Sequence, residues 1–164
     1  MKFVIYDLLK VFPGKSNVGA LGLSNAELIA FDGKKILFDT GSHGVKPTLM
    51  KSLSDLDIAP NEIDAIFISH LHYDHSENIA MFPYAKLFIS KAEWDNANIS
   101  CDIYTPFENL EYIKNRDIEF ITEDNQEIFP CMRAIFTPGH TLGHMSLLLE
   151  TDEGNWLLAA DAVK

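Results

Sequence analysis

Apolar residues recur along this chain with two different spacings, and the changes between them lay out its elements. Lys2–Leu8 is apolar and β-branched enough for an opening strand. Gly14 to Gly22 contains three glycines and reads as a loop. Glu27–Phe31 and Lys34–Phe38 flank Asp32-Gly33, a tight-turn pair, and predict a hairpin. Asp39-Thr40-Gly41 ends its second strand. Pro47 is placed to open a helix in which Leu49, Leu53 and Leu56 fall at i, i+4 and i+7. Ala65–Ile68 and Lys86–Ile89 are strand-sized apolar runs. Ser90 with Glu93 three residues on predicts a capping box and a helix carrying Trp94. Thr105, Pro106 and Glu108 repeat that signal for a helix through about Lys114. From Ile118 onward the pattern is strands: Met132–Phe136, Met145–Glu150 and Trp156–Ala160, the last two joined by Asp152-Glu153-Gly154-Asn155. Strands grouped at both ends with helices between them argue for an α+β fold in which helices cover sheets.

Composition narrows the picture. The chain has 164 residues, 47% of them hydrophobic, enough for one domain with its own core, so residues 1–164 are expected to form a single unit. A formal charge of −11 repels phosphate backbones, and no Lys/Arg cluster offsets it, so nucleic acid is not an expected partner. The longest apolar runs are strand-sized, which leaves no expected transmembrane helix or membrane partner. Asp7 interrupts the N-terminal run too early for a secretory segment, so the expected location is cytoplasmic. Cys101 and Cys131 stand thirty residues apart in no metal-like pair and read as small buried or half-buried thiols.

The candidate chemistry is concentrated in Ser69–Asn78, SHLHYDHSEN, which holds three of the six histidines. Residues i and i+2 of an extended segment point the same way, so His70 and His72 can reach one cation together. Asp74 and His75 come a step later and can face a second position beside the first. Imidazole suits zinc, iron, copper or nickel, while carboxylate admits harder ions and can be shared by a metal pair. Burying these polar groups without partners would cost several kcal/mol, which a metal offsets. A solvated histidine-rich loop is the plainer alternative. Against it, Asp39, His140 and Asp161 all stand where an apolar strand ends, the kind of sheet edge where sites collect.

Asp39-Thr40-Gly41, His70-x-His72-x-Asp74-His75, Gly139-His140-Thr141-x-Gly143-His144 and Ala160-Asp161 resemble, in order, the successive motifs of the metallo-β-lactamase-fold superfamily. The pattern is most similar to its glyoxalase II-like and N-acyl homoserine lactonase-like hydrolases, and FPYAKLFISKAEW, Phe82 through Trp94, fits that branch too. The resemblance implies an αββα sandwich and a binuclear metal site. His70, His72 and His140 would hold one ion, Asp74 and His75 the other, with Asp161 bridging both. Asp39 would orient the cluster from behind it. His144 either does the same or is simply a packed, hydrogen-bonded side chain, and His43 is expected to be a loop residue. The implied cofactors are two divalent ions, zinc foremost, with iron or manganese as alternatives. A further histidine and the rest of the second αβ half are not among these residues, so the expectation is a sandwich incomplete in its second half. The second ion would then bind weakly or not at all, and an uncovered sheet edge would favour pairing into a homo-oligomer. The lactonases carry a tyrosine where this chain has Lys164.

The function implied is metal-dependent hydrolysis of a small-molecule ester, thioester or lactone. Two ions roughly 3.5–4 Å apart would share a water and lower its pKa from about 15.7 toward 7. Asp74 would act catalytically, holding that nucleophile in line by accepting its proton. The alternatives are a mono-iron sulfur dioxygenase-type oxidoreductase of the same fold and a non-catalytic metal-binding domain. Di-iron oxygen reductases typically place a glutamate where His72 stands, and the acidity disfavours RNA processing.

Overall fold

Strand β1 (Val4–Leu9) opens the computed structural model, which describes residues 2–10, 14–17, 19–100 and 102–163. A short hairpin follows, β2 (Gly14–Ser16) with β3 (Gly19–Leu21), in the segment expected to be a loop. Glycine weakens a strand without forbidding extended backbone, and here two glycines sit inside one ladder. The Asp32-Gly33 hairpin is present as expected. Its strands β4 (Ala26–Phe31) and β5 (Lys34–Phe38) pair antiparallel, and both turn residues have positive φ, 46° and 76°.

Helix α1 (Lys46–Asp55) carries Pro47 in its first turn and buries Leu49 and Leu53; Leu56 lies just past its end, partly buried. β6 (Ala65–Phe67) leads into the single helical turn α2 (Tyr73–Ser76). β7 (Lys86–Ser90) runs directly into α3 (Lys91–Ile99). α4 (Phe107–Ile113) begins after Pro106 with no side-chain cap, so Thr105 does not play its expected part. The remaining strands are β8 (Ile118–Ile121), β9 (Gln126–Phe129), β10 (Met132–Phe136), β11 (Met145–Thr151) and β12 (Gly154–Leu158). β12 starts and stops two residues earlier than expected, because Ala160–Ala162 folds into a 3-10 turn.

Two sheets result. One is six-stranded, in the order β1-β4-β5-β6-β7-β8, antiparallel at the β1 edge and parallel from β5 to β8. The other is the antiparallel meander β12-β11-β10-β9. Strict side-chain alternation splits the core between the two faces of the larger sheet. Leu28, Leu37, Ile66, Leu87 and Ile89 face the helices, against Leu49, Leu53, Ala97, Leu110 and Ile113. Ile29, Ile36, Phe38, Phe67 and Phe88 face the smaller sheet, against Met132, Ala134, Met145, Leu147 and Leu149. Among the described residues, none of the four α-helices contributes to that second core. The layers are therefore helices, sheet and sheet. The chain positions that follow β5, β6, β10 and β12 converge, and there the polar residues collect.

Candidate metal centre

The cluster is assembled from four strand ends. Asp39 follows β5 with φ 58°, a left-handed conformation that aspartate tolerates better than most residues. His70 and His72 follow β6. His72 is still extended, and α2 then turns Asp74 and His75 around beside them. The Thr137–His144 loop after β10 brings His140, and the turn after β12 brings Asp161. A backbone bond from Met145 N to Ser69 O at 2.9 Å ties the β11 start to the β6 end.

The outward-facing nitrogens of His70, His72 and His75 each have an oxygen partner, and those partners settle where the proton sits. His75 Nδ1–H donates to Asp39 Oδ2 at 2.7 Å. The Ser69 hydroxyl donates to the same oxygen at 2.7 Å, so His70 Nδ1–H must donate to Ser69 Oγ, 3.0 Å away. His72 Nε2–H donates to Asp102 Oδ2 at 3.0 Å. What remains inside is the other ring nitrogens: His70 Nε2 and His75 Nε2 are buried with no hydrogen-bond partner among the described residues, and His72 Nδ1 faces His140 Nε2 at 3.0 Å. Two imidazole nitrogens bound to one tetrahedral zinc stand about 3.3 Å apart for Zn–N bonds of about 2.0–2.1 Å. The donor spacing is of that kind.

The structure brings together two sets whose ligand atoms all lie within 4.8 Å of one another: His70, His72, His140 and His70, His75, Asp161. Asp161 lies between them, Oδ2 at 3.2 Å from His140 Nε2 and Oδ1 at 3.7 Å from His75 Nε2. Asp74 falls outside both sets; its Oδ2 is 4.0 Å from His75 Nε2. It is held close to Gly22, where a Cβ would come within 2.7 Å of that same oxygen. His144 Nδ1 and Thr137 Oγ1 share a hydrogen bond of 2.8 Å, and the buried Nε2 of His144 has no partner among the described residues. His43 is exposed, in a 3-10 turn where its backbone N–H donates to Glu77. Cys131 is half-buried, as expected; Cys101 and Lys164 lie outside the described residues.

Electrostatics follow burial. Desolvation, with the crowding of His75, His72, His144 and His140, holds His70 far below an ordinary imidazole, hence neutral and able to ligate. Burial pushes His144 down to about 4. Burial opposes protonation of His75 too, but the Asp39, Asp74 and Asp161 carboxylates outweigh it and raise its pKa. Glu27 is pushed up to about 8, by burial first and then by Asp39 and Asp7.

Asp102 joins the cluster through His72, a connection that the sequence pattern does not reveal. It sits in a turn, thirty residues from His72, and its other oxygen accepts from Tyr104 N. A carboxylate on the outer nitrogen of a ligating histidine fixes ring orientation and raises basicity.

Residues 19–164 match the family model described as the Metallo-beta-lactamase superfamily. A Methanocaldococcus jannaschii protein named "Probable metallo-hydrolase" is 33% identical over 114 residues, 69% of this chain and 45% of its own length. An N-acyl homoserine lactonase from a Bacillus species is 32% identical over 117 residues, 70% of this chain and 44% of its own. The chain thus spans less than half the length of these curated relatives. A solved N-acyl homoserine lactone hydrolase, with the product N-hexanoyl-L-homoserine at its catalytic metal center, shares the fold. Its TM-score is 0.74 at 20% identity, over 94% of this chain and 73% of that one.

Proposed function

This chain belongs to the metallo-beta-lactamase superfamily, and we propose that the protein is a metal-dependent hydrolase of a small-molecule ester, thioester or lactone. The observation that carries this reading is the convergence of the buried Nε2 atoms of His70 and His75, bare among the described residues, with His72 and His140, while the outer nitrogens of His70, His72 and His75 are occupied. Lone pairs left without donors in a protein interior are costly, and a divalent cation satisfies them together.

His70, His72 and His140 would hold one ion. His75 with Asp161 would contribute to a second, Asp161 touching both. Zinc fits the donor set best, because imidazole predominates. Bound there, such ions supply Lewis acidity and lower the pKa of water from about 15.7 toward 7. Asp74 would accept a proton from the attacking water; its carboxylate stands at the rim of the cluster and is only slightly exposed. Asp39 and Asp102 keep His75 and His72 in the ligating tautomer throughout. Tyr104 is half exposed with its ring 5.5 Å from that of His72, giving an acyl group an apolar wall beside the cluster. The acidic surface disfavours phosphate esters. The lactonase relatives support an acyl substrate.

The test is metal content by X-ray fluorescence together with an ester, thioester, lactone and phosphodiester panel before and after chelation. Zinc with chelator-sensitive cleavage of an acyl substrate is expected. Iron with oxygen consumption on a persulfide would overturn the reading.

A further inference from the structure

Glu93 lies in the first turn of α3, 3% exposed, at a position where the sequence assigns it only to a capping box. Half of that box exists: Ser90 Oγ accepts from Glu93 N at 3.3 Å. The Glu93 carboxylate is turned inward. Oε1 accepts from Leu71 N at 2.9 Å, and Oε2 accepts from Thr141 Oγ1 at 2.6 Å and Gly143 N at 3.1 Å. Leu71 lies between His70 and His72. Thr141 follows His140, and Gly143 precedes His144. One carboxylate therefore joins the two histidine-bearing segments, which are far apart in the chain.

The backbones meet at the same point. A Cβ on Gly143 would lie 2.0 Å from Glu93 N and 2.4 Å from Glu93 Cα, so the His140 loop rests directly on the first turn of α3. A buried carboxylate is costly, and three short donors offset that cost without any cation among these contacts. Helix capping needs none of this, because the Ser90 side chain already caps the helix. The three bonds do fix the spacing between His70, His72 and His140.

We propose that Glu93 is a positioning residue that holds the His70–His72 segment and the His140 loop in register, so that the three imidazoles stand ready before an ion arrives. This rests on reading the cluster as a metal centre. Without Glu93, ordering the two segments would have to be driven by ion binding, and affinity would fall by that amount.

The test uses zinc affinity, measured by competition with a chromophoric chelator, and the visible spectrum of the cobalt(II) form. Glu93→Gln keeps an acceptor for Leu71 N but sets an amide donor or a lost contact against Thr141 and Gly143. It is expected to weaken zinc binding about 10–100-fold and to alter the cobalt spectrum. Thr141→Val should shift both in the same direction by less, and Thr141→Ser should restore them. Ser90→Ala removes the helix cap alone and should leave both unchanged. Wild-type affinity and spectrum in Glu93→Gln, or equal weakening by Ser90→Ala, would overturn the proposal alone. Wild-type protein that takes up neither ion would overturn the metal-centre reading and this proposal with it. Should Glu93→Gln fail to fold, the Thr141 pair decides the matter.

Discussion

Asp39 and His75 are joined at 2.7 Å, carboxylate Oδ2 to imidazole Nδ1, both almost fully buried and thirty-six residues apart. The same carboxylate accepts from the backbone N–H and the hydroxyl of Ser69. One acidic side chain thus orients His75 directly and His70 through Ser69.

Asp39→Asn keeps the left-handed backbone acceptable but puts an NH2 where acceptors are needed. It should destabilise the protein by about 1–3 kcal/mol, the cost of an unsatisfied buried donor. Asp39→Ala should cost more, about 3–5 kcal/mol, since it leaves three donors orphaned and a β-carbon residue without a polar side chain at φ 58°. Urea unfolding of the metal-free protein measures both, and equal stability of the two variants would contradict the account.

Asp102→Ala is expected to separate affinity from stability. Asp102 is partly exposed, so its loss should cost little stability. Its bond to His72 Nε2 fixes that ring, so metal affinity should fall about 10–100-fold. Paired thermal melts and metal titrations check this; a large fall in melting temperature at unchanged affinity would refute it.

The glycines of the His140 loop should respond differently. At Gly143 a Cβ meets the Glu93 backbone, so Gly143→Ala should displace the loop and lower both stability and metal content. At Gly139 a Cβ would meet none of the described residues within 4 Å, and only its φ of 152° resists a side chain. Gly139→Ala should therefore cost about 1–3 kcal/mol and leave metal stoichiometry intact. Calorimetry and metal analysis distinguish the two effects.

Glu27 carries the pH prediction. It pairs across the strands with Asp7 and lies near Asp39, and its pKa is raised to about 8. Its folded-state pKa is above the ordinary value, so the folded protein holds the extra proton. The contribution is full below pH of about 4.5 and is lost as pH rises toward 8. In chelator, the stability of the wild type relative to Glu27→Gln should fall across that window by an amount of the order of a few kcal/mol, while His70 and His144, whose pKa values are lowered, tilt both proteins the other way below about pH 6.5. Glu27→Gln should lose that downward contribution and be the more stable protein at the alkaline end. Parallel slopes for the two proteins would rule this out.

How much was legible in the sequence depended on distance along the chain. The β4–β5 hairpin was plain because Asp32-Gly33 and two apolar runs are contiguous. The histidine cluster showed itself because four polar side chains fall within six positions. Asp39, His140 and Asp161 were visible from their places at strand ends and from family motifs. The spacing of Glu93 to Ser90 correctly marks the start of α3, but it says nothing of the carboxylate, whose partners Leu71, Thr141 and Gly143 lie on other elements. Asp102 gave no signal, since a lone aspartate in a turn has many explanations. The β2–β3 hairpin is not legible, because glycine reads as a breaker even where backbone pairing tolerates it.

The crowding of His70, His72, Asp74 and His75 into one short peptide has a kinetic consequence. This peptide can chelate an ion while the chain is still emerging, long before residues 140 and 161 exist. Such early capture also stabilises the unfolded ensemble and subtracts from what the ion contributes to the native state. Excess metal during refolding should therefore raise the final yield less than the native-state affinity alone would suggest, and adding the same metal only after refolding should remove the deficit.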